Sequence, residues 1–310
     1  TKHIFLTGGS GFVGQTLIPL AISKNYKVHA LSRTLTTDET LLSLGAVPIR
    51  GDLTSLATLR EETRLADAVI HLATAYDFSK TPSYDDVIHI DIAALDAIAE
   101  EAAGTGKPVV VTSGTLVVDA DPDGKETDEA GAWDPKPLNS RGKMETYGMG
   151  LVERGVNVRC VRLAPYTYGR GGSGVRRWMD LAKMVGSVIC VDGGVNRTTT
   201  VHVEDAAELY LVVAERGRAG EVYNASGDTT VTAREIFEAV AEIMGVEVRD
   251  LDFETAKGQF GEVLARFLSV ENRASGEKAR RELGWELKGR GILEDIREGS
   301  YRQVAEEMRK

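Results

Sequence analysis

The amino-terminal stretch Ile4-Phe5-Leu6-Thr7-Gly8-Gly9-Ser10-Gly11-Phe12-Val13-Gly14 decides the fold of this chain. A short apolar run ends in glycines at positions 8, 11 and 14, and a helix-like segment follows them. The first glycine allows a tight turn, the second lets the backbone approach a pyrophosphate, and the third lets the helix pack closely on the strand. The amino terminus of that helix would face the anion. This strand–turn–helix context predicts a dinucleotide-binding unit rather than an ordinary glycine turn.

The first half of the chain repeats the alternation of short apolar runs and amphipathic segments. Further strands are predicted at 27–31, 47–50, 68–72, 109–112 and 158–163. These runs are nearly continuous, which is typical of strands buried on both faces of a parallel sheet. Apolar residues at helical spacing over 84–103 predict one of the intervening helices. The sequence therefore predicts an α/β fold with a doubly wound parallel sheet.

The rhythm changes after about residue 163. A glycine-rich stretch at 169–174 is interpreted as a flexible hinge, and Thr232 with Glu235 forms a capping box that opens a helix ending before Gly245. The remainder is charged and helical, with a last helix over 292–310. We expect a dinucleotide-binding domain over 1–165 and a smaller, mainly helical substrate lobe over 166–310. Within that lobe, about 195–225 should return to the first domain.

Composition and charge exclude several classes of protein. The 310 residues carry 37 Lys and Arg against 47 Asp and Glu, a formal charge of −10 that disfavours nucleic acid as a partner. The two cysteines, Cys160 and Cys190, indicate a reduced, cytoplasmic setting rather than a secreted disulfide scaffold. No apolar run approaches the ~18 residues that span a bilayer. We therefore expect no membrane association, a small-molecule substrate, and a monomer or homodimer.

Further short motifs follow the glycine loop in a fixed order. They are Gly51-Asp52-Leu53, His71-Leu72-Ala73, Thr112-Ser113-Gly114-Thr115, Tyr168-Gly169, Val201-His202-Val203-Glu204-Asp205-Ala206-Ala207 and Glu282-Leu283-Gly284-Trp285. Together they resemble the extended short-chain dehydrogenase/reductase superfamily, in its NAD(P)-dependent epimerase/dehydratase-like form. The resemblance covers essentially the whole chain, and it implies a Rossmann fold with a nicotinamide cofactor.

The resemblance also implies which residues contact the cofactor. Asp52 matches an adenine-contacting Asp, and Arg141 could steady ribose hydroxyls. The full expected set is Gly8, Ser10, Gly11, Phe12, Val13, Gly14, Ser32, Arg33, Asp52, Leu53, Leu72, Ala73, Thr74, Arg141 and Pro165. At the end of the second strand, Ser32-Arg33 stands where an acid would bind the ribose 2′-hydroxyl of NAD. A hydroxyl and a guanidinium suit a 2′-phosphate, so NADP is favoured over NAD.

The catalytic pair that the family normally carries is missing. A Tyr usually precedes a Lys by four residues on the helix after the fifth strand, and the Lys lowers the pKa of the Tyr. With Glu145 taken as the acid that usually follows the Lys by four, the corresponding positions are Pro137 and Arg141. Neither can supply a proton. The Tyr-x-x-x-Lys at 76–80 follows the fourth strand in a predicted loop, so we interpret it as unrelated to the catalytic pair. Tyr76 itself could still line the site.

Other polar residues could replace the missing acid. Ser113, Thr115 and Tyr166 are the catalytic candidates, with water as a further proton source. Hydroxyls at strand ends often satisfy only backbone groups, and buried tyrosines are more often packing residues. His202 and Asp205 look like a dyad but match a helix start that Asp205 would cap. The five histidines are scattered along the chain, so no metal site is expected.

Two functions remain open at this point. The first is an NADP-dependent oxidoreductase of the atypical short-chain dehydrogenase type, acting on a small organic carbonyl, alcohol or imine. The alternative is a redox-silent protein that binds NADP, either an isomerase or cyclase or an NADP-sensing regulator. A sugar-nucleotide epimerase is disfavoured, because that chemistry normally depends on the missing Tyr.

Overall fold

A computed structural model describes residues 2–77, 81 and 83–309. Eleven strands lie in this part of the chain: β1 His3–Thr7, β2 Lys27–Ser32, β3 Val47–Arg50, β4 Ala68–His71, β5 Pro108–Gly114, β6 Asn157–Leu163, β7 Tyr166–Tyr168, β8 Ser187–Val191, β9 Thr200–His202, β10 Val222–Ala225 and β11 Glu247–Leu251. Its thirteen α-helices are α1 Phe12–Ser23, α2 Leu35–Ser43, α3 Leu56–Leu65, α4 Ile88–Ala102, α5 Gly142–Gly150, α6 Ser173–Val185, α7 Val203–Arg216, α8 Ala233–Met244, α9 Phe253–Phe260, α10 Glu262–Ser269, α11 Glu277–Leu283, α12 Ile292–Glu298 and α13 Ser300–Arg309.

A seven-stranded parallel sheet forms the centre of the molecule, in the order β10-β6-β5-β4-β1-β2-β3. All six predicted strands of the first half are present, with ends that differ by no more than two residues. Helices cover both faces, as continuous apolar strands require. The predicted doubly wound α/β fold is confirmed. Its order reverses beside β1, so the carboxyl ends of β1 and β4 border the crevice in which such folds bind ligands.

The chain returns to this sheet late in the sequence. Strand β10 pairs with β6 in parallel register, and Tyr210 of α7 is fully buried in the same core as Leu17 and Ile18 of α1. The division of the chain into two domains near residue 165 stays a prediction.

The smaller lobe contains two short parallel sheets that the helical expectation missed, β8–β11 and β7–β9. Strand β11 was hidden because its sequence Glu247-Val248-Arg249-Asp250-Leu251 carries three charged residues. Four of its five residues remain partly or fully exposed, since it pairs with β8 alone. The lobe's core includes Met179, Phe237, Ile296 and Tyr301.

Two predictions about the lobe are corrected. The last helix is divided into α12 and α13 at Gly299, where a side chain would collide with Asp295. The glycine-rich stretch at 169–174 is held in place rather than hinge-like. The Tyr301 hydroxyl accepts from the Gly169 amide and donates to the Gly172 carbonyl, both at 2.8 Å.

Within the described residues, no helix combines the length and the apolar character that crossing a membrane demands.

Candidate cofactor and substrate site

The glycine loop leaves the amino terminus of α1 open. Gly11 caps the helix without a side-chain hydrogen bond, and the first turn carries no acid. Gly8 adopts φ +75°, and a Cβ at Gly14 would lie 2.7 Å from the Cα of Gly9 as well as against the Gly8 carbonyl. A side chain at position 14 would therefore force the helix away from the turn. The free amide groups and the positive end of the helix dipole fit a pyrophosphate.

The other loop residues line or support this turn. The Ser10 carbonyl accepts from the Gln15 side chain at 2.6 Å, and Val13 is partly buried. The Phe12 ring packs so closely on Gly172 that a Cβ there would lie 2.7 Å from it. The glycine loop and the glycine-rich stretch of the lobe thus meet face to face.

The end of β2 carries Ser32 and Arg33, which the sequence predicts to select between the two nicotinamide cofactors. The Ser32 hydroxyl is wholly buried and donates to the Thr34 carbonyl at 3.3 Å, so it supports the turn. The Arg33 side chain is exposed and has neither a hydrogen bond nor an ion pair among the described residues. Arg50 of β3 lies opposite Ser32 in register and pairs with Asp38 of α2. Sequence reasoning missed Arg50, because only the register of β2 and β3 brings it here.

The residues predicted to contact the adenine, Asp52 and Leu53, lie between β3 and α3. One carboxylate oxygen of Asp52 accepts hydrogen bonds from the Thr54 amide and hydroxyl, at 2.8 and 2.6 Å. These bonds lower the pKa of Asp52. Leu53 is buried. Asp52 is therefore a fixed, ionised group at the carboxyl edge of β3.

A hydrogen-bond chain shapes the end of β4. The Thr7 hydroxyl accepts from the Ala73 amide at 3.2 Å and lies 2.9 Å from Nδ1 of His71. Burial lowers the pKa of His71 to about 4, so the imidazole is neutral at physiological pH. This neutral contact joins β1 to β4 beside the glycine loop. Leu72 and Ala73 also come within 3.1 Å of where a Gly8 side chain would be.

A buried carboxylate organises the segment that follows. Asp91 of α4 accepts from the Thr74 hydroxyl at 2.6 Å, the Ala75 amide at 2.7 Å and the Tyr84 hydroxyl at 2.7 Å. Burial and the Asp91 carboxylate raise the pKa of Tyr84, which keeps the phenol protonated. Sequence reasoning missed Asp91. Its signal was a charge placed directly between two isoleucines of α4, Ile90 and Ile92.

A small polar cavity of about 30 Å³ lies at the carboxyl ends of β4 and β5. It has room for water-sized molecules. Its wall includes Thr74, Tyr84, Asp91, Ser113 and Arg141. The Ser113 hydroxyl is buried and has no hydrogen-bond partner among the described residues. A buried donor of this kind calls for a ligand or a water.

Arg141, the residue at the N-cap of α5, lines the cavity. The helix begins at Gly142, later than the sequence comparison assumed, so Pro137 lies outside it and is exposed. A Tyr at position 137 would consequently not share a helical face with residue 141. Glu145, used to align the helix, forms a buried ion pair with Arg162 at 2.6 Å.

The other two catalytic candidates lie away from this cavity. The Thr115 hydroxyl donates to the Asn272 side chain at 2.8 Å. Tyr166, which follows the partly buried Pro165, packs in the lobe core with its ring centroid 5.7 Å from that of Phe267. Burial raises the pKa of Tyr166. Of the three hydroxyls, the structure brings only Ser113 to the cavity.

The remaining sequence motifs are tied to one another. His202, rather than Asp205, caps α7, accepting from the Glu204 amide at 3.3 Å. Asp205 instead accepts from the amides of Lys288 and Gly289, and its carbonyl accepts from the Trp285 indole at 2.9 Å. The two motifs therefore fasten α7 to the carboxyl-terminal segment.

Tyr76 and Asp77 are the residues of the Tyr-x-x-x-Lys sequence that the structure describes. Tyr76 makes an edge contact with Tyr84, at 5.6 Å between ring centroids. Phe78, Ser79 and Lys80 lie outside the described residues.

Two of the five histidines are distant in sequence but adjacent in space. His3 and His29 form, with Glu62, a cluster whose geometry could hold a metal ion, a grouping that sequence spacing alone did not indicate. Neighbouring strands and the helix above them bring these residues together.

The parallel sheet and the open glycine loop define the class of this protein, a dinucleotide-binding Rossmann fold of the dehydrogenase and epimerase type. The chain belongs to the NAD dependent epimerase/dehydratase family, whose model matches residues 4–226. The predicted family is thereby confirmed.

The similarity to other proteins extends over nearly the whole chain. The protein YLL056C of Saccharomyces cerevisiae, which is described as uncharacterized, is 33% identical over 95% of this chain and 97% of its own. A 4-hydroxy-2-methyl-3-oxo-4-farnesyl-3,4-dihydroquinoline-1-oxide ketoreductase of Stigmatella aurantiaca is 27% identical over 91% of each chain. The structure of the dTDP-glucose 4,6-dehydratase DesIV from Streptomyces venezuelae, which contains NAD, has a TM-score of 0.78 at 20% identity over 97% of each chain.

Proposed function

We propose that this protein is an NADP-dependent oxidoreductase that reduces a small organic carbonyl or imine, or oxidises the corresponding alcohol or amine, with a non-standard active site. One observation carries the proposal: Ser113, whose buried hydroxyl has no hydrogen-bond partner among the described residues, lines a polar cavity at the carboxyl edge of the Rossmann-type sheet. The similarity to a ketoreductase over 91% of each chain supports carbonyl chemistry.

The residues present fit a dinucleotide. The amino terminus of α1 would bind the pyrophosphate, since a side chain at Gly14 would close the cradle and no acid opposes the anion. Asp52 would contact the adenine. The nicotinamide side would be bordered by Leu72, Ala73 and Pro165. Arg141 would bind ribose hydroxyls. When bound, the cofactor supplies or accepts the hydride.

Arg33 favours NADP over NAD. Its guanidinium is exposed, has no partner among the described residues and stands where an NAD-binding protein would carry an acid. A charge-assisted contact with a 2′-phosphate would satisfy it.

Ser113 would act on the substrate oxygen. Its hydroxyl can donate a hydrogen bond that strengthens as negative charge develops on a carbonyl during reduction. Arg141 lines the same cavity and remains cationic, so it also favours that charge without giving up a proton. Thr74 and Tyr84 are already engaged with Asp91. The proton would accordingly come from water, for which the cavity has room.

The test combines cofactor binding with turnover. Titration calorimetry should give at least about tenfold tighter binding of NADPH than of NADH, or ~1.4 kcal/mol, and Arg33→Ala should remove the preference. The matched control is Arg64→Ala, an exposed arginine at the other edge of the sheet. Against a panel of aldehydes, ketones and imines, Ser113→Ala should lower kcat by roughly 10²–10³-fold with NADPH affinity unchanged.

Thr115→Val and Tyr166→Phe serve as controls for turnover, because their hydroxyls lie away from the cavity, and both should keep near-parental kcat. Equal affinity for NADPH and NADH would contradict the NADP assignment. Tight NADPH binding without hydride transfer to any member of the panel would favour the redox-silent alternative.

A further inference from the structure

A cluster of two histidines and a carboxylate lies toward the amino ends of the strands, away from the glycine loop. His3 begins β1, His29 lies in the neighbouring β2, and Glu62 lies on α3, which covers this face. The two imidazole rings have centroids 4.0 Å apart and an interplanar angle of 64°. One nitrogen of each ring and one oxygen of Glu62 all lie within 4.8 Å of one another.

Both rings are anchored through the same nitrogen. Nδ1 of His29 lies 2.7 Å from Oε2 of Glu62, and Nδ1 of His3 lies 3.2 Å from the Leu65 carbonyl oxygen. A carbonyl has no proton to give, so His3 must donate from Nδ1, and the carboxylate favours the same tautomer in His29. Nε2 then carries the lone pair in each ring.

These two lone pairs are the unusual feature. Nε2 of His3 and Nε2 of His29 are both buried, and neither has a hydrogen-bond partner among the described residues. Metal-binding histidines are typically arranged in this way, with one ring nitrogen donating to a carboxylate or carbonyl while the other is left for the ion. A cation between the rings would satisfy both nitrogens.

We propose that Nε2 of His3 and Nε2 of His29 bind a divalent transition-metal ion, for which Zn²⁺ is the best match, while Glu62 orients the His29 ring. Imidazole nitrogens are preferred ligands of Zn²⁺, and water would complete its coordination, whereas Mg²⁺ and Ca²⁺ prefer oxygen ligands. The ion would join β1 and β2, and would therefore stabilise the folded chain. His3 also lines an open groove along the amino edge of the sheet, which offers an entry path.

The experiment is calorimetric titration of Zn²⁺ into the full chain, freed of any affinity tag, alongside thermal unfolding with and without zinc. We expect one ion per chain and a rise in Tm on saturation, since an ion that binds only the folded state stabilises it. His3→Ala and His29→Ala should each weaken zinc binding by at least about tenfold, and Glu62→Gln should weaken it in the same direction. His89→Ala is the matched control, because this histidine of α4 is exposed and lies outside the cluster.

Two outcomes would overturn the proposal: no stoichiometric zinc binding by the parent, or parental affinity in the His3→Ala/His29→Ala double variant. Circular dichroism of the zinc-free variants checks that they fold. If His29→Ala does not fold, His3→Ala decides, since its ring is partly exposed and its loss disturbs the core less. NADPH affinity should be unchanged in His3→Ala, which separates this site from the proposed enzymatic one.

Discussion

Two carboxylates, Asp91 and Glu145, are equally buried at 3% exposure, yet they have hydrogen-bond partners of different charge. Asp91 accepts only from neutral donors, two hydroxyls and one amide. Glu145 accepts bidentate hydrogen bonds from the Arg162 guanidinium, at distances of 2.6–3.1 Å. Among the described residues, Asp91 has no counter-ion, whereas Glu145 belongs to a closed ion pair.

Of these two buried carboxylates, only Asp91 lines the cavity at the ends of β4 and β5. The Glu145–Arg162 pair joins α5 to β6, and its side chains are no more than 3% exposed. Among the described residues, no cation pairs with Asp91, and Asp91 lines the cavity together with Arg141. Its negative charge therefore contributes to the field in the cavity, and its donors fix the segment after β4.

The largest expected effect is on the closed pair. Glu145→Ala leaves the Arg162 guanidinium buried without a counter-charge, and only its bond to the Glu129 carbonyl remains. We expect the free energy of unfolding to fall by about 3–5 kcal/mol, as measured by urea denaturation. The nearby exposed Glu153→Ala should change it by no more than about 0.5 kcal/mol. A loss below about 1 kcal/mol for Glu145→Ala would mean that the Glu145–Arg162 pair does not stabilise the fold.

His71 lies near Asp91, but the nearby negative charge does not keep the imidazole protonated. Burial lowers the pKa of His71 from 6.5 to about 4, and this outweighs the opposing effect of the Asp91 charge. The unfolded chain binds this proton below pH 6.5, whereas the folded chain does so only near pH 4, so this stability is present above pH 6.5 and is lost as the pH falls toward 4. Between pH 7 and about pH 4.5, the parent should lose about 2–3 kcal/mol more than His71→Gln.

The measurement is the free energy of unfolding at a series of pH values for parent and variant. Because other groups titrate in both proteins, only the difference between the two curves bears on His71. Parallel curves would indicate that Asp91 does hold a proton on this ring, and the contrast with the Glu145–Arg162 pair would then weaken.

Much of the fold could be predicted from local sequence. Continuous apolar runs specify strands buried on both faces, and the glycines at 8, 11 and 14 specify the turn that follows β1. Strand β11 could not be predicted, since its charged residues are tolerated only at an edge. Edges are a property of the assembled sheet.

The site was less accessible to sequence reasoning, because its partners are set by tertiary packing. Thr74 and Tyr84 meet Asp91 from positions 17 and 7 residues away, and both precede α4, so no helical face joins the three residues. Similarly, the sequence does not indicate that Thr115 bonds to Asn272 while Ser113, two residues earlier, has no hydrogen-bond partner in the part of the chain that the structure describes. Hydroxyls of the same type at one strand end acquire different roles through what packs against them.

The smallest expected effect compares the two carboxylates by isosteric substitution. Asp91→Asn keeps the shape of the side chain and leaves one oxygen as an acceptor, while its three partners are all neutral donors that need no counter-charge. Charge-assisted hydrogen bonds become ordinary ones, so we expect a loss of about 1–2 kcal/mol in the free energy of unfolding. Glu145→Gln removes the counter-charge of a buried guanidinium and should therefore cost more than Asp91→Asn in the same urea experiment. The two variants alter the same number of atoms, so the comparison isolates the partner's charge.

Equal losses would mean that Asp91 also depends on a cation, for which Arg141 across the cavity is the candidate. A larger loss for Asp91→Asn would reverse the comparison and make Asp91 the principal structural charge of this half of the molecule.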